Sequence, residues 1–269
     1  MLSRNFSVIP NNLLRACQSL LPKSVTLANE TNGVTPSSSG DGDTVYSVLD
    51  PANNSPVAFV SAPGDAKKAT AESIEKAERC LSTLSATNSV YRSKLLSNWA
   101  TSIRSSREAL AHIMTLECGK PIAESLAEVE YGASYLDYYA GECMRPNGMG
   151  GGTIIPSPFF KADGQGVANV SRGTIQSINS PVGVCGFITP WNFPLAMITR
   201  KVGPALSAGC PSVLKPSDVT PLTALALLEL SKGVGLPEGA FEVLPFGADD
   251  ASVFGEEICS SDVVKVRGW

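Results

Sequence analysis

The sequence contains a single histidine, His112, and no Cys-x-x-Cys pair among its seven cysteines. Zinc sites and thioredoxin-like redox sites require such residues at short spacing, so we expect neither kind of site and no bound metal. The chain also lacks a basic excess, because 21 basic residues stand against 25 acidic ones and the net charge is −4. Without a cationic surplus to neutralise phosphates, a nucleic-acid partner is not expected.

Long apolar runs are missing as well. None approaches the roughly 18–20 residues that cross a bilayer, which argues against a membrane partner. Four glycines lie within residues 148–152, but they lack the Gly-Lys-Ser/Thr ending of a P-loop and the order Gly-x-Gly-x-x-Gly. They therefore predict a flexible connection. With 269 residues, 43% hydrophobic and 17% charged, the chain is long enough for one large or two modest globular domains.

Residues 1–29 carry Arg4, Arg15 and Lys23 and no acidic side chain. Apolar residues fall at helical spacing between two prolines: Leu13, Leu14, Cys17, Leu20 and Leu21. This composition predicts a mitochondrial transit peptide and a location in the mitochondrial matrix. The alternative is a tail without a targeting role, on a cytoplasmic protein. Residues 30–43 are polar and rich in glycine and serine, which predicts a linker.

Hydrophobic periodicity divides the remainder into three parts. Residues 44–150 predict two short strands followed by helices, with one longer helical region over 95–113. Residues 151–178 predict paired extended segments. In residues 179–269 strands alternate with helices, which indicates parallel strands joined by crossovers. The last of these strands begins at Asp262 and is expected to stop almost at once. The predicted fold class is α/β, with a partial doubly wound parallel sheet.

Two polar clusters follow consecutive predicted strands of this sheet. Thr189-Pro190-Trp191-Asn192 ends the first strand, and Lys215-Pro216-Ser217-Asp218 ends the second. Ligands of open α/β sheets bind beyond the carboxyl ends of the strands, so both clusters stand where a ligand crevice is expected. The spacing alone predicts a crevice that could accept a nucleotide. Taken singly, the asparagine is more typical of a turn and the lysine of a solvated charge.

The run Pro181-Val-Gly-Val-Cys-Gly-Phe-Ile-Thr-Pro-Trp-Asn-Phe-Pro-Leu195 resembles the first cofactor-binding strand and turn of the NAD(P)-dependent aldehyde dehydrogenases. Its continuation to Cys210 and the segment Thr115-Leu-Glu-Cys-Gly-Lys-Pro121 are most similar to succinate-semialdehyde dehydrogenases. The resemblance extends over about residues 44–266. It implies oxidation of succinate semialdehyde to succinate, with NAD or NADP as the cofactor.

By position, the resemblance implies that Asn192 is catalytic and donates its amide to the oxygen of the tetrahedral intermediate. Arg200 would bind the distal carboxylate of the substrate, and Lys201 would lie beneath the site. Without the family pattern, Arg200 would be taken as a solvated helix charge. The cofactor would contact two short runs of residues, Ile188 to Asn192 and Lys215 to Asp218: Ile188, Thr189, Pro190, Trp191, Asn192, Lys215, Pro216, Ser217 and Asp218.

The choice of cofactor stays open, because Ser217 can donate to a 2′-phosphate whereas the carboxylate of Asp218 repels it. The paired segments over 151–178 resemble the family's β-hairpin oligomerisation arm, which implies a homodimer or homotetramer. The chain is expected to correspond to the amino-terminal half of such an enzyme, with the catalytic domain absent and, with it, the nucleophilic cysteine and the general-base glutamate. The alternative function is an inactive chain that acts through binding or hetero-oligomerisation.

Overall fold

The computed structural model describes residues 11–28, 42–157 and 173–269. The elements in chain order are α1 Asn11–Ser19, β1 Val25–Leu27, β2 Thr44–Leu49, β3 Pro56–Ala62, α2 Ala66–Ser85, α3 Ser89–Ser105, α4 Arg107–Cys118, α5 Ile122–Met144, β4 Gly152–Pro156, β5 Thr174–Ile178, β6 Val184–Ile188, α6 Ala196–Ser207, β7 Ser212–Lys215, α7 Pro221–Gly233, β8 Phe241–Val243, α8 Ala251–Ser260 and β9 Val264–Gly268. The start of the predicted transit peptide, residues 30–41 of the predicted linker and residues 158–172 of the predicted arm lie outside the described residues.

A four-stranded sheet in the order β8-β7-β6-β9 forms the carboxyl-terminal half. All its neighbouring strands are parallel, which confirms the predicted α/β class. Strands β6 and β7 are almost completely buried, because helices cover the sheet. The expectation that the fourth strand stops at once is wrong. Strand β9 continues to Gly268, since β6 pairs with it as far as Phe187.

The amino-terminal elements belong to the same core as the helices. Strand β1 pairs with β3 in an antiparallel sheet of order β1-β3-β2. Helix α1 forms at the predicted leucine-rich segment and buries Cys17, whose thiol donates to the main-chain oxygen of Ala109 at 3.6 Å. Sequence periodicity did not indicate β1. A transit peptide over residues 1–29 stays a prediction, and α1 and β1 lie within that range.

Helices α3 and α4 form where one longer helical region was expected. Ser106, with φ −98° and ψ 13°, ends α3 and begins α4. Helix α4 then ends at Gly119, whose φ of 78° is in the left-handed region that favours glycine. Helix α5 runs close against α6, since a Cβ on Gly132 would lie 2.0 Å from Leu195 Cδ2. This close approach brings α5 next to the loop that joins β6 to α6.

A membrane-spanning helix and a metal-binding cluster are both absent from the described ranges. No helix within them has the length and apolarity needed to cross a membrane. Within the same ranges, no group of three His, Cys, Asp or Glu residues could hold a metal ion. His112 instead lies with Nδ1 2.8 Å from the main-chain oxygen of Glu108, in its own helix.

Candidate functional site

The structure brings the two predicted polar clusters together at one edge of the parallel sheet. Ile188, at the end of β6, is paired with Lys215, at the end of β7. The amide of Thr189 donates to the main-chain oxygen of Lys215 at 3.1 Å, which extends the pairing beyond the strand. The loops that follow both strands therefore leave the sheet side by side, as the sequence predicts for a ligand crevice.

A cavity of about 730 Å³ opens beside these loops. Trp191, Ser217 and Asp218 contribute to its wall, together with Tyr46, Ser47, Val48, Leu49, Pro51, Asn54, Glu117, Cys118, Val219, Thr220, Gly247, Ala248 and Asp249. Thr220 is buried, and its Oγ1 has no hydrogen-bond partner among the described residues. A buried hydroxyl without a partner is costly, so this wall suits a polar ligand.

Lys215 is buried at the end of β7, and its Nζ donates to the main-chain oxygen of Pro216 at 3.0 Å. Burial lowers the pKa of Lys215, whereas the carboxylates of Asp218 and Asp250 act in the opposite direction. An ammonium has three donors, so two remain for other acceptors, but Lys215 is not among the residues that line the cavity. Ser217 Oγ lies 3.4 Å from Asp218 Oδ1. This donor set fits a dinucleotide such as NAD or NADP.

A second cavity of about 650 Å³ adjoins the first. Its wall contains Cys118, Gly119, Lys120, Pro121, Glu124, Ala127, Glu128, Tyr131, Trp191, Asn192 and Phe193. Trp191 and Cys118 line both cavities. Asn192 therefore borders a second space, which lies next to the cavity at Ser217 and Asp218 and is separate from it.

The loop that carries Asn192 is held by charged residues that sequence analysis did not assign to the site. Lys120 Nζ donates to the main-chain oxygen of Asn192 at 2.8 Å and lies 4.6 Å from the ring centroid of Phe193. The carboxylate of Glu128 forms an ion pair with Lys120. Glu128 Oε1 also accepts from the amide of Leu195 at 2.9 Å.

Glu117 holds the next helix in the same way. Its buried carboxylate accepts from the amide of Leu222 at 2.7 Å and from the amide of Thr223 at 3.0 Å, at the start of α7. The Thr223 hydroxyl donates to it as well. A signal for this residue was present in the sequence, because Glu117 falls four positions after Ile113 on the apolar face of α4.

Burial raises the pKa of Glu117 from 4.5 to about 8. The folded chain then holds this proton to a higher pH than the unfolded chain does. The stability that the bound proton contributes is therefore complete below the unfolded pKa, and it is lost as the pH rises through the folded pKa. We expect the free energy of unfolding to fall by a few kcal/mol, as an order of magnitude, between about pH 5 and pH 8. Urea denaturation across this range measures it.

In the Glu117→Gln variant this part of the pH dependence should disappear. The exposed Glu72 on α2 provides the matched control, and Glu72→Gln should keep the wild-type slope. An unchanged slope in Glu117→Gln would show that Glu117 does not titrate between these pH values.

Arg200 lies on α6 with its side chain exposed, and it lines neither of the two cavities. Its neighbourhood contains Tyr135, whose pKa is raised by a hydrogen bond between its hydroxyl and that of Tyr131, while the charge of Arg200 acts in the opposite direction. Tyr131 does line the second cavity. Burial, followed by the charge of Arg200, lowers the pKa of Lys201. Arg200 is therefore an exposed residue of α6 outside both cavities.

Fold and site together define an α/β protein with a parallel sheet and a cavity beyond the carboxyl ends of its central strands. The chain belongs to the aldehyde dehydrogenase family, whose sequence model matches residues 37–266. This confirms the family resemblance of the two motifs.

Individual relatives support the same assignment. Over 225 residues the chain is 42% identical to a mitochondrial succinate-semialdehyde dehydrogenase of Oryza sativa subsp. japonica, covering 84% of this chain and 39% of the relative. Over 218 residues it is 39% identical to the NADP(+) succinate-semialdehyde dehydrogenase of Escherichia coli K12, covering 81% and 41%. The crystal structure of betaine aldehyde dehydrogenase from Staphylococcus aureus in complex with NAD+ superposes with a TM-score of 0.75 at 28% identity, covering 95% and 46%. The chain therefore spans less than half the length of the relatives it matches.

Proposed function

We propose that this chain supplies the cofactor-binding part of an aldehyde dehydrogenase that oxidises succinate semialdehyde to succinate with NAD or NADP. The observation that carries the proposal is the meeting of two clusters at one sheet edge, where Thr189 is hydrogen-bonded to Lys215. It is supported by the similarity to plant and bacterial succinate-semialdehyde dehydrogenases. The mitochondrial relative supports a mitochondrial location in the same way.

In this proposal the cofactor, when bound, accepts a hydride from the substrate. The chain's own residues bind and orient. Lys215 donates to the ribose, and the loop from Thr189 to Asn192 lines the cleft. Asn192 donates its amide to the oxygen on which negative charge develops. Arg200, exposed on α6, attracts the carboxylate at the other end of a semialdehyde acid, and its planar fork suits that group.

Calorimetric titration of the purified chain with NAD+ and NADP+ tests the binding part of the proposal, and Lys215→Met is expected to weaken both. Formation of NAD(P)H at 340 nm with succinate semialdehyde tests the reaction in a protein that contains this chain together with the family's catalytic part. Binding without turnover in that protein would favour the alternative of a non-catalytic chain. Absence of binding to either dinucleotide by the folded chain would contradict the proposal.

The side chain of Asp218 should decide between the two cofactors. A carboxylate about 4 Å from a 2′-phosphate repels it by about 1 kcal/mol in water, which corresponds to about fivefold in affinity. We therefore expect Asp218→Asn to bind NADP+ about fivefold more tightly and NAD+ unchanged. Equal changes for both dinucleotides in calorimetric titrations would show that Asp218 does not discriminate. Asp249→Asn, on the same cavity wall, is the matched control.

We also propose that β4 and β5 form an arm that joins copies of the chain into a homo-oligomer. Among the described residues the two strands pair only with each other, and both are exposed along almost their whole length. Ile178 is 80% exposed and Ile154 is 67% exposed. Isolated two-stranded ribbons are marginally stable in water, so such apolar strands suit an interface. A monomeric mass by light scattering for the wild type, equal to that of Ile178→Lys, would refute the arm.

A further inference from the structure

We propose that Lys120 and Glu128 are positioning residues for Asn192, holding the main chain on both sides of this asparagine. The inference rests on the proposed function, since it is the oxyanion role that gives the position of the Asn192 amide its importance. Neither charged residue comes from the sheet. Lys120 precedes α5 and Glu128 lies within α5, whereas Asn192 follows β6.

Lys120 binds a main-chain oxygen of the loop that carries Asn192. Its Nζ donates to the main-chain oxygen of Asn192 at 2.8 Å and lies 4.6 Å from the centroid of the Phe193 ring. The preceding Cys118 donates its thiol to the main-chain oxygen of Trp191 at 3.5 Å. Two consecutive carbonyls of the loop therefore accept from the short segment Cys118 to Lys120, which ends α4 and leads to α5.

Glu128 holds the chain on the other side, at the start of α6. Its Oε1 accepts from the amide of Leu195 at 2.9 Å and from the amide of Ala196 at 3.2 Å. Leu195, the residue before the helix, provides no side-chain cap of its own. The carboxylate also faces the positive end of the helix dipole. Glu128 thus fixes where α6 begins, only four residues after Asn192.

The ion pair connects Lys120, which binds the carbonyl of Asn192, with Glu128, which binds the amides at the start of α6. The Lys120 side chain is 11% exposed and that of Glu128 is 1% exposed. The cost of removing two charges from water is often not recovered in stability, so such a pair is better explained by the geometry that it imposes. Displacement of a catalytic group by about 1 Å can cost about a hundredfold in rate. A fixed loop therefore keeps the Asn192 amide in the position from which it can donate to one oxygen.

Hydrogen–deuterium exchange of the chain, read by mass spectrometry, tests the proposal without requiring turnover. In Lys120→Met, amides of residues 192–197 should exchange about tenfold faster, while those of residues 221–227 in α7 stay unchanged. Lys120→Arg, which keeps the charge and the donor, should restore protection. Lys76→Met is the control, because it removes a lysine that is paired with Glu242 far from the loop.

The Glu128→Gln variant distinguishes the contact at the Asn192 carbonyl from the contact at the start of α6. Its remaining oxygen still accepts from Leu195 and Ala196, so α6 should stay protected while the loop at Asn192 loosens. Where the chain turns over succinate semialdehyde, Lys120→Met should lower kcat about tenfold with the cofactor dissociation constant unchanged. Lys120→Gln replaces Lys120→Met if the latter does not fold.

The proposal is overturned if a folded Lys120 variant keeps wild-type exchange over residues 192–197. It is equally overturned if exchange rises as much over residues 221–227, or if Lys120→Arg fails to restore protection. Failure of the proposed function would show differently. The wild type would then bind no dinucleotide, while the exchange result would stand on its own.

Discussion

Replacing Asn192 by alanine, in an enzyme that contains this chain together with the family's catalytic part, is expected to lower kcat for succinate semialdehyde by about 10²–10³-fold. The reason is that one amide donor aimed at a developing oxyanion contributes about 2.7–4 kcal/mol to the transition state. The ground state has little negative charge on that oxygen, so KM should change much less. Steady-state kinetics with NAD+ and NADP+ measure both constants. Asn192 lines the second cavity and follows β6, outside the paired strands of the sheet.

The Asn192→Asp variant is the control for shape. It has nearly the same volume, but its carboxylate repels the oxyanion, so kcat should fall at least as far as in Asn192→Ala. Cofactor titrations of both variants should give dissociation constants close to that of the wild type. A kcat for Asn192→Ala within about threefold of the wild type would remove Asn192 from the catalytic machinery.

Replacing Arg200 by glutamine should lower kcat/KM for succinate semialdehyde by about 10–150-fold, because hydrogen bonds to a charged group contribute about 1.5–3 kcal/mol. Butanal has the same carbon chain without the carboxylate. Its kcat/KM should stay as in the wild type. The structure places Arg200 on the exposed side of α6 and outside the two cavities, so this assignment depends on the kinetic result.

The comparison of the two aldehydes decides the assignment. Equal losses for succinate semialdehyde and butanal would mean that Arg200 supports the fold of α6 and does not select the substrate. Lys201→Met tests the neighbouring cation in the same assay. It should affect both aldehydes alike, because Lys201 is predicted to lie beneath the site and not at its mouth.

Local sequence predicts much of the sheet. The apolar run at β6 and the polar residues after β6 and β7 follow from the chain alone, because parallel strands covered on both faces need continuous apolar sequence. The two polar clusters then meet as the rule for open sheets predicts. Strand β1 is different. Its three residues are too few for a pattern, and its partner β3 lies about 30 positions along the chain.

The sequence by itself determined the alternating strands and helices, the family, and the candidates Asn192 and Lys215, because these depend on residues adjacent in the chain. Only the tertiary structure decided how the loop at Asn192 is held. Lys120 and Asn192 are 72 positions apart, and Glu117 and Leu222 are 105 apart. No periodicity relates residues at such distances. Their contacts exist because α4 and α5 pack across the amino-terminal ends of α6 and α7, where buried amides require an acceptor.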